Sequence, residues 1–172
     1  TMREAIEAKA FRALSYGLYI VTSVCGEKAN GQIANSVIQV TSAPPQIAVC
    51  INRENLTHAC ILESGVFGVS ILGENTPLSF IGRFGFKSGR NIDKLSGVDC
   101  LVEGHACPLV TENAVAVMTA KVVKQLAIST HTLFVGEVTY AAVLNAELPL
   151  SYATYHEIKR GKTPKKAPTY QV

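Results

Sequence analysis

Asn30-Gly31-Gln32-Ile33-Ala34-Asn35-Ser36-Val37-Ile38-Gln39-Val40-Thr41-Ser42-Ala43-Pro44-Pro45 alternates small amides and hydroxyls with branched apolar residues and stops at a proline pair. Val37, Ile38, Val40 and Thr41 favour a strand, whereas Asn35, Ser36, Gln39 and Ser42 supply donors and acceptors that a purely structural strand does not need. A polar, planar ligand fits such a face.

Working outward, Gln46–Asn52 reads as a second strand, because the prolines cannot donate into a ladder and separate it from Gln32–Thr41. Upstream, Arg3–Leu14 reads as a short helix, Tyr16–Cys25 as an apolar strand, and Gly26–Gly31 as the turn between strands. Downstream, Asn55 or Thr57 caps a helix from Thr57 to Glu63 that Gly65 stops, and Val66–Leu72 returns as a strand. Thr76-Pro77 opens a helix running to Phe84. Short strands near Leu101 and Leu109 precede long ones at Ala114–Leu126 and Thr132–Leu144. Strands outnumber helices and do not alternate with them, so the pattern predicts a mainly β fold, a Greek-key barrel with short helices.

The chain has 172 residues, enough for one domain with a sizeable core. Hydrophobic residues make up 48% and charged residues 17%, with no Trp and a formal charge of +3. That balance argues against a disordered or nucleic-acid-binding chain, more so because Lys159, Arg160, Lys162, Lys165 and Lys166 cluster in the tail and leave the body near neutral. Neither a membrane-spanning run nor a signal-peptide core is present, which predicts a cytoplasmic protein. Five cysteines without a Cys-x-x-Cys pair disfavour a disulfide framework and a zinc or iron-sulfur site, and predict buried free thiols. Cys50 follows the Pro pair, where it is either a small core residue or a neighbour of the ligand.

Three further segments carry chemistry. Ile51-Asn52-Arg53-Glu54-Asn55-Leu56-Thr57-His58 leaves a strand and enters a helix, where free N–H groups and a forked guanidinium suit a phosphate; taken alone, an ordinary capped helix start with solvated charges is the simpler explanation. His58 itself is expected to pack or face water. Gly82-Arg83-Phe84-Gly85-Phe86-Lys87-Ser88-Gly89-Arg90-Asn91-Ile92-Asp93-Lys94-Leu95 combines close backbone approach at glycine, the donors Lys87, Ser88 and Arg90, and a ring cover from Phe84 or Phe86; a surface loop is the plain alternative. His131-Thr132-Leu133-Phe134-Val135-Gly136-Glu137-Val138 places an imidazole at the head of an apolar strand.

Taken in order, the four segments resemble the flavin reductase-like, FMN-binding split-barrel family from Tyr16 to Leu144. The resemblance implies an FMN site at Gln32, Ala34, Asn35, Ser36, Val37, Gln39, Val40 and Thr41 of the first segment. It adds Cys50, Asn52, Arg53, Asn55 and Thr57 of the second, and Phe84, Lys87, Ser88, Gly89 and Arg90 of the third. His131 is implied to border the flavin or nicotinamide, with a binding and electrostatic role, since flavin performs the hydride chemistry itself. No Gly-x-Gly-x-x-Gly turn is present, so NAD(P)H is expected as a transient co-substrate.

The tail Tyr155–Tyr170 is similar to the segment that joins the flavin and rubredoxin domains of high-molecular-weight rubredoxins, but no Cys-x-x-Cys knots follow it here. The expectation is a domain over 1–154 and a basic, Pro-containing arm over 155–172, in either a stand-alone relative or part of a longer chain. The implied protein is a homodimeric NAD(P)H-dependent oxidoreductase that passes electrons to free flavin or a small redox protein such as rubredoxin. A flavoredoxin-like carrier with little NAD(P)H activity, or a flavin- or haem-binding module without catalysis, are the alternatives.

Overall fold

The protein was analysed as a computed structural model describing residues 5–157 and 159–170. Among these residues nine strands and three α-helices follow in order: β1 Tyr19–Cys25, β2 Lys28–Ala34, β3 Val37–Ser42, β4 Pro45–Asn52, α1 Leu56–Ser64, β5 Val66–Leu72, α2 Leu78–Gly85, β6 Cys100–Leu101, β7 Leu109–Val110, β8 Ala114–Ile128, β9 His131–Val143 and α3 Tyr152–Glu157. Seven strands form one antiparallel sheet in the order β2-β1-β5-β8-β9-β4-β3, and β6-β7 is a separate two-stranded ladder. The sheet's two edge strands, β2 and β3, are consecutive in the chain, so the sheet curls until its edges meet at Asn35-Ser36. They do not pair with each other, and the barrel is split at that seam. The predicted β-rich barrel with short helices is therefore the fold.

One predicted strand is corrected here. Gln32–Thr41 is two strands, because the chain breaks at Asn35-Ser36, where the Ser36 hydroxyl donates to Asn35 Oδ1 at 3.1 Å and the Ser36 carbonyl accepts from the Cys50 amide. Small polar side chains that bond their own backbone neighbourhood favour such a break over a continuous ladder. The Gly26–Gly31 turn shrinks to a hairpin at Gly26-Glu27, with Gly26 at φ 57°. Thr76 does not cap α2: its hydroxyl donates to the Gly73 carbonyl at 2.7 Å, and Pro77 occupies the N-cap position. The opening helix is a 3-10 turn over Ala8–Ala13 with no buried residue, and residues 3 and 4 of the predicted element lie outside the described residues. By contrast α1, stopped by Gly65 in the left-handed conformation at φ 71°, and β5 follow the sequence closely.

Two apolar cores result. The barrel interior packs Val49, Ile51, Phe67 and Phe134 beneath Ile61 of α1. A second core outside the barrel joins Leu18 and Ile20 of the β1 segment to Phe80, Ile81 and Phe84 of α2, and to Leu150 and Tyr155 around α3. This second core is what places α2, the loop after it and the C-terminal segment along the barrel seam. The boundary expected at 154/155 falls inside α3, whose Tyr155 is core.

The cysteine expectation is also corrected. Cys25, at the end of β1, and Cys60, inside α1, form a disulfide across 35 residues with a Cα–Cα distance of 4.6 Å; Cys50, Cys100 and Cys107 are free. An odd count disfavours a framework but does not exclude a single pair, because pairing depends on where a strand end and a helix meet. Among the described residues no helix is long and apolar enough to cross a membrane, and no group of three or more His, Cys, Asp or Glu could hold a metal ion.

Candidate functional site

A cavity of about 600 Å³ opens at the barrel seam. Its floor is the end of β2 with Gln32, Ala34 and Asn35, and the end of β4 with Cys50 and Asn52. One wall is the start of α1 at Asn55 and Leu56, and another is the loop Phe86–Arg90 after α2. The roof is the C-terminal arm, from Lys162 to Pro168 together with Tyr170.

The α1 wall is built for an anion. Asn52 Oδ1 accepts from the Glu54 amide at 2.9 Å, which turns the chain off β4 into the helix. The first-turn amides of Leu56 and Thr57 are left without an acceptor, as helix geometry requires. Arg90 and Lys87 lie beside them in the lining, and Arg90 Nη1 donates to the Glu54 carbonyl at 3.1 Å. Glycine is required at 89, since a Cβ there would sit 2.0 Å from Asn30 Oδ1. Asn30 is held by donating to Thr57 Oγ1 at 2.8 Å.

The floor is amide-rich and only partly satisfied. Gln32 Oε1 is buried and has no hydrogen-bond partner. A buried acceptor without a donor is costly, so this oxygen marks where a ligand donor would be stabilised. Cys50 lies between Asn52 and the seam, and burial pushes its thiol pKa up, which disfavours the thiolate needed for nucleophilic chemistry.

Lys94 is the residue that sequence reasoning passed over. Only 5% exposed, it donates from Nζ to the carbonyls of Gly31 at 3.0 Å and Phe84 at 2.9 Å, and it lines the cavity. Its cation thus ties β2 to the last turn of α2, where helix carbonyls attract positive charge. Burial lowers its pKa to about 8. The signal was the Asp93-Lys94 pair closing the third segment, but only the fold turns that lysine inward.

A folded-state pKa below the unfolded value of about 10.4 means the unfolded chain binds the proton more tightly. Stability referred to a Lys94→Met variant is therefore expected to rise between pH 8 and pH 10, by no more than about 3 kcal/mol at roughly 1.4 kcal/mol per unit. Urea unfolding of both proteins at pH 7, 8.5 and 10 checks this, and a difference that does not change with pH would show that Lys94 keeps an ordinary pKa.

Among the sequence-predicted residues, Gln32, Ala34, Asn35, Cys50, Asn52, Asn55, Phe84, Lys87, Ser88, Gly89 and Arg90 come together around the cavity. The others stand elsewhere. Gln39, Val40 and Thr41 are exposed on the edge strand β3 beyond the Asn35-Ser36 break, and Thr41 donates to the Pro44 carbonyl at 2.6 Å. Val37 and Gln39 line a smaller recess of about 250 Å³ with Tyr19 and Met118. Ser36 is spent on the break itself. Arg53 turns to the β8–β9 connection, its Nη1 donating to the Ser129 carbonyl at 3.3 Å, and Thr57 is fully buried as the acceptor for Asn30. The family resemblance implied all of these in the FMN site; the break at Asn35-Ser36 turns the β3 residues away from the cavity, and Arg53 and Thr57 are spent on contacts within the protein.

His58 packs, as expected: its Nε2 meets Thr132 Oγ1 at 2.7 Å and its ring lies 5.3 Å from that of Phe134. Burial, Arg53 and His131 lower its pKa. His131 stands at the head of β9 but meets the arm. Its Nε2 lies 3.2 Å from the Lys166 carbonyl, which can only accept, so Nε2 carries the proton and Nδ1 accepts from Thr130 Oγ1 at 2.8 Å. Burial lowers its pKa, partly offset by that bond. The imidazole is therefore a clasp on the arm.

The arm is held at several points. Tyr155, buried in the second core, donates from its hydroxyl to the Lys162 carbonyl at 2.7 Å and accepts the Lys162 amide at 3.0 Å. Gly161 lies on the Tyr155 ring, where a Cβ would sit 2.0 Å from ring carbons. Tyr152 bonds both Thr163 and Thr169, and Asn35 Nδ2 donates to Thr169 Oγ1 at 2.5 Å. Lys166 pairs with Glu54 at 3.3 Å, and Lys159 Nζ donates to the Thr76 carbonyl at 3.0 Å. Ile158 lies outside the described residues.

The sequence profile of the flavin reductase like domain matches residues 11–159. The chain belongs to that family. Over 165 residues this flavin reductase-like protein is 53% identical to the ferric-chelate reductase (NAD(P)H) of Archaeoglobus fulgidus, covering 96% of this chain and 98% of that one. It is 46% identical over 167 residues to the high molecular weight rubredoxin of Moorella thermoacetica, covering 97% of this chain and 73% of the relative. Among solved structures, the NADH:FAD oxidoreductase of Streptomyces globisporus superposes with a TM-score of 0.76 at 24% identity, covering 88% of this chain and 93% of that one, and shares the fold.

Proposed function

We propose that this flavin reductase-like protein binds one FMN in the seam cavity, takes hydride from NAD(P)H and passes electrons to free flavin or a small redox protein. The observation that carries the reading is the cavity's two-ended chemistry. Unpaired α1 amides, Lys87 and Arg90 suit a phosphate at one end, and the orphaned acceptor Gln32 Oε1 with the amide of Asn35 suits a planar, polar ring at the other. A volume of about 600 Å³ is of the size that holds such a ligand. FMN, when bound, supplies the hydride acceptance and electron release. The chain's own residues bind, orient and cover it: Gln32 accepts from the ring, Arg90 and Lys87 neutralise the phosphate, and the arm excludes water from above.

The test is a titration of the apoprotein. FMN is expected to bind at one per chain, and Arg90→Ala to weaken it by about 1.5–3 kcal/mol, the worth of a charge-assisted hydrogen bond, while riboflavin affinity stays unchanged. A chain that rejects FMN, or an Arg90→Ala protein that loses riboflavin as strongly as FMN, would sink this assignment. Anaerobic reduction by NADH and NADPH then separates a reductase, whose flavin bleaches within turnover time, from a carrier that bleaches slowly.

The relative named for ferric-chelate reduction adds a ferric chelate as an acceptor to be assayed beside rubredoxin and free flavin. A homodimer is part of the proposal. Ile38 and Val40 on β3 and Val123, Leu126 and Ile128 on β8 are exposed apolar side chains that a second copy would cover.

A further inference from the structure

Among the described residues six cationic side chains line the cavity, Lys87, Arg90, Lys94, Lys162, Lys165 and Lys166, and no Asp or Glu lines it. A cleft lined by one sign of charge concentrates counter-ions of the other sign. Three of the six have work that the fold or the FMN reading accounts for. Lys94 bonds two backbone carbonyls, and Lys87 and Arg90 stand beside the free amides of α1. Lys166 is paired with Glu54.

Lys162 and Lys165 remain. Both are exposed, and among the described residues neither side-chain nitrogen has a hydrogen-bond or ion-pair partner. Their backbone is nonetheless fixed. Tyr155 grips Lys162 through both its carbonyl and its amide, Gly161 is seated on the Tyr155 ring, and the Lys166 carbonyl is clasped by His131. Two free ammonium groups are thus presented by a held segment at the roof of a cavity whose phosphate end already has its own cations. Nothing in a single FMN phosphate requires them.

We infer that Lys162 and Lys165 read the 2′-phosphate of NADPH, so that the C-terminal arm makes the protein prefer NADPH to NADH; this rests on the flavin reductase reading. The two cofactors differ only by that phosphate, which brings close to two negative charges and three acceptor oxygens. Lysine is a compact point charge on a flexible stem, suited to a phosphate that arrives transiently rather than to a rigid forked contact. The chain contains no Gly-x-Gly-x-x-Gly turn to hold a dinucleotide, and Lys162 and Lys165 line the same cavity as the candidate flavin site.

The experiment uses FMN-saturated protein and two probes that differ by one phosphate, adenosine 2′,5′-bisphosphate and adenosine 5′-monophosphate, with affinities by calorimetry. The wild-type protein is expected to bind the bisphosphate at least about tenfold more tightly, the lower end of what a charge-assisted contact provides. The double variant Lys162→Ala/Lys165→Ala is expected to bring the two affinities within about twofold and to lower the NADPH-to-NADH ratio of kcat/KM by a similar factor. FMN is kept saturating for both proteins, so a change in its affinity does not enter the ratio. Lys28→Ala, on the β1–β2 hairpin, serves as the charge control and is expected to keep the full preference. Equal wild-type affinities, or a preference that survives the double variant, would overturn the inference while FMN binding stands. A wild-type protein that takes up no FMN overturns the reading beneath it and the inference together.

Discussion

A chain truncated after Glu157 is expected to fold but to hold FMN at least about tenfold more weakly than the full-length protein. No residue of the arm between 159 and 170 is itself buried, so its removal takes no side chain out of either core, although it uncovers the Tyr155 ring on which Gly161 lies. What it takes is the roof: the Thr169 contact to Asn35, the Lys166 carbonyl from His131, the Lys166–Glu54 ion pair and the Lys162 contacts of Tyr155. Each neutral bond is worth about 1 kcal/mol net and the exposed ion pair less, so arm docking is a balance of a few kcal/mol against chain entropy. One factor of ten in affinity corresponds to about 1.4 kcal/mol, within what such a roof can contribute by excluding water from the ring. Flavin fluorescence titration, with circular dichroism to verify the fold, measures both sides. Parental affinity in the truncated chain would show that the arm does not cover the flavin. The same pair of proteins tests whether the basic cluster of the arm steers an acidic electron carrier. The basic cluster is folded onto the cavity rather than extended, so electron transfer to an acidic carrier is expected to lose its salt dependence only if Lys165 and Lys166 face that carrier.

Phe84→Ala is expected to destabilise the protein by about 3–5 kcal/mol, the cost of removing a buried aromatic side chain from a close-packed site. Phe84 is 1% exposed, its ring lies 5.2 Å from that of Phe80, and it sits in the core that seats α2 and α3 on the barrel. Its carbonyl also receives Lys94. Phe86, two residues on, is 53% exposed and lines the cavity. Phe86→Ala is therefore expected to leave stability within about 0.5 kcal/mol, as surface changes do, while weakening FMN binding through loss of ring contact. Urea unfolding and FMN titration on both variants separate a wedge from a cover. Equal stability losses, or an unchanged FMN affinity in Phe86→Ala, would reverse the assignment.

Much of this site was legible because it is local. The helix start after Asn52, the stop at Gly65 and the glycine-rich loop from Gly82 to Arg90 are each specified by residues within one turn of the position they control, and so was the succession of strands that predicts a barrel. The resemblance supplied the order of the segments. Other features were not local. The break at Asn35-Ser36 depends on the two sheet edges meeting there, and it removes Gln39, Val40 and Thr41 from the cavity although their alternation is intact. Lys94 reads as a surface charge until α2 and β2 close over it, and Cys25 and Cys60 read as free thiols until a strand end lands on a helix. The arm reads as a basic, Pro-containing segment, and only the second core, by burying Tyr155, brings it across the seam. What residues do to their immediate neighbours is written in short-range sterics and hydrogen bonding, which the sequence determines by itself. Which distant groups share one cavity depends on packing among elements far apart in the chain, and that only the tertiary structure decides.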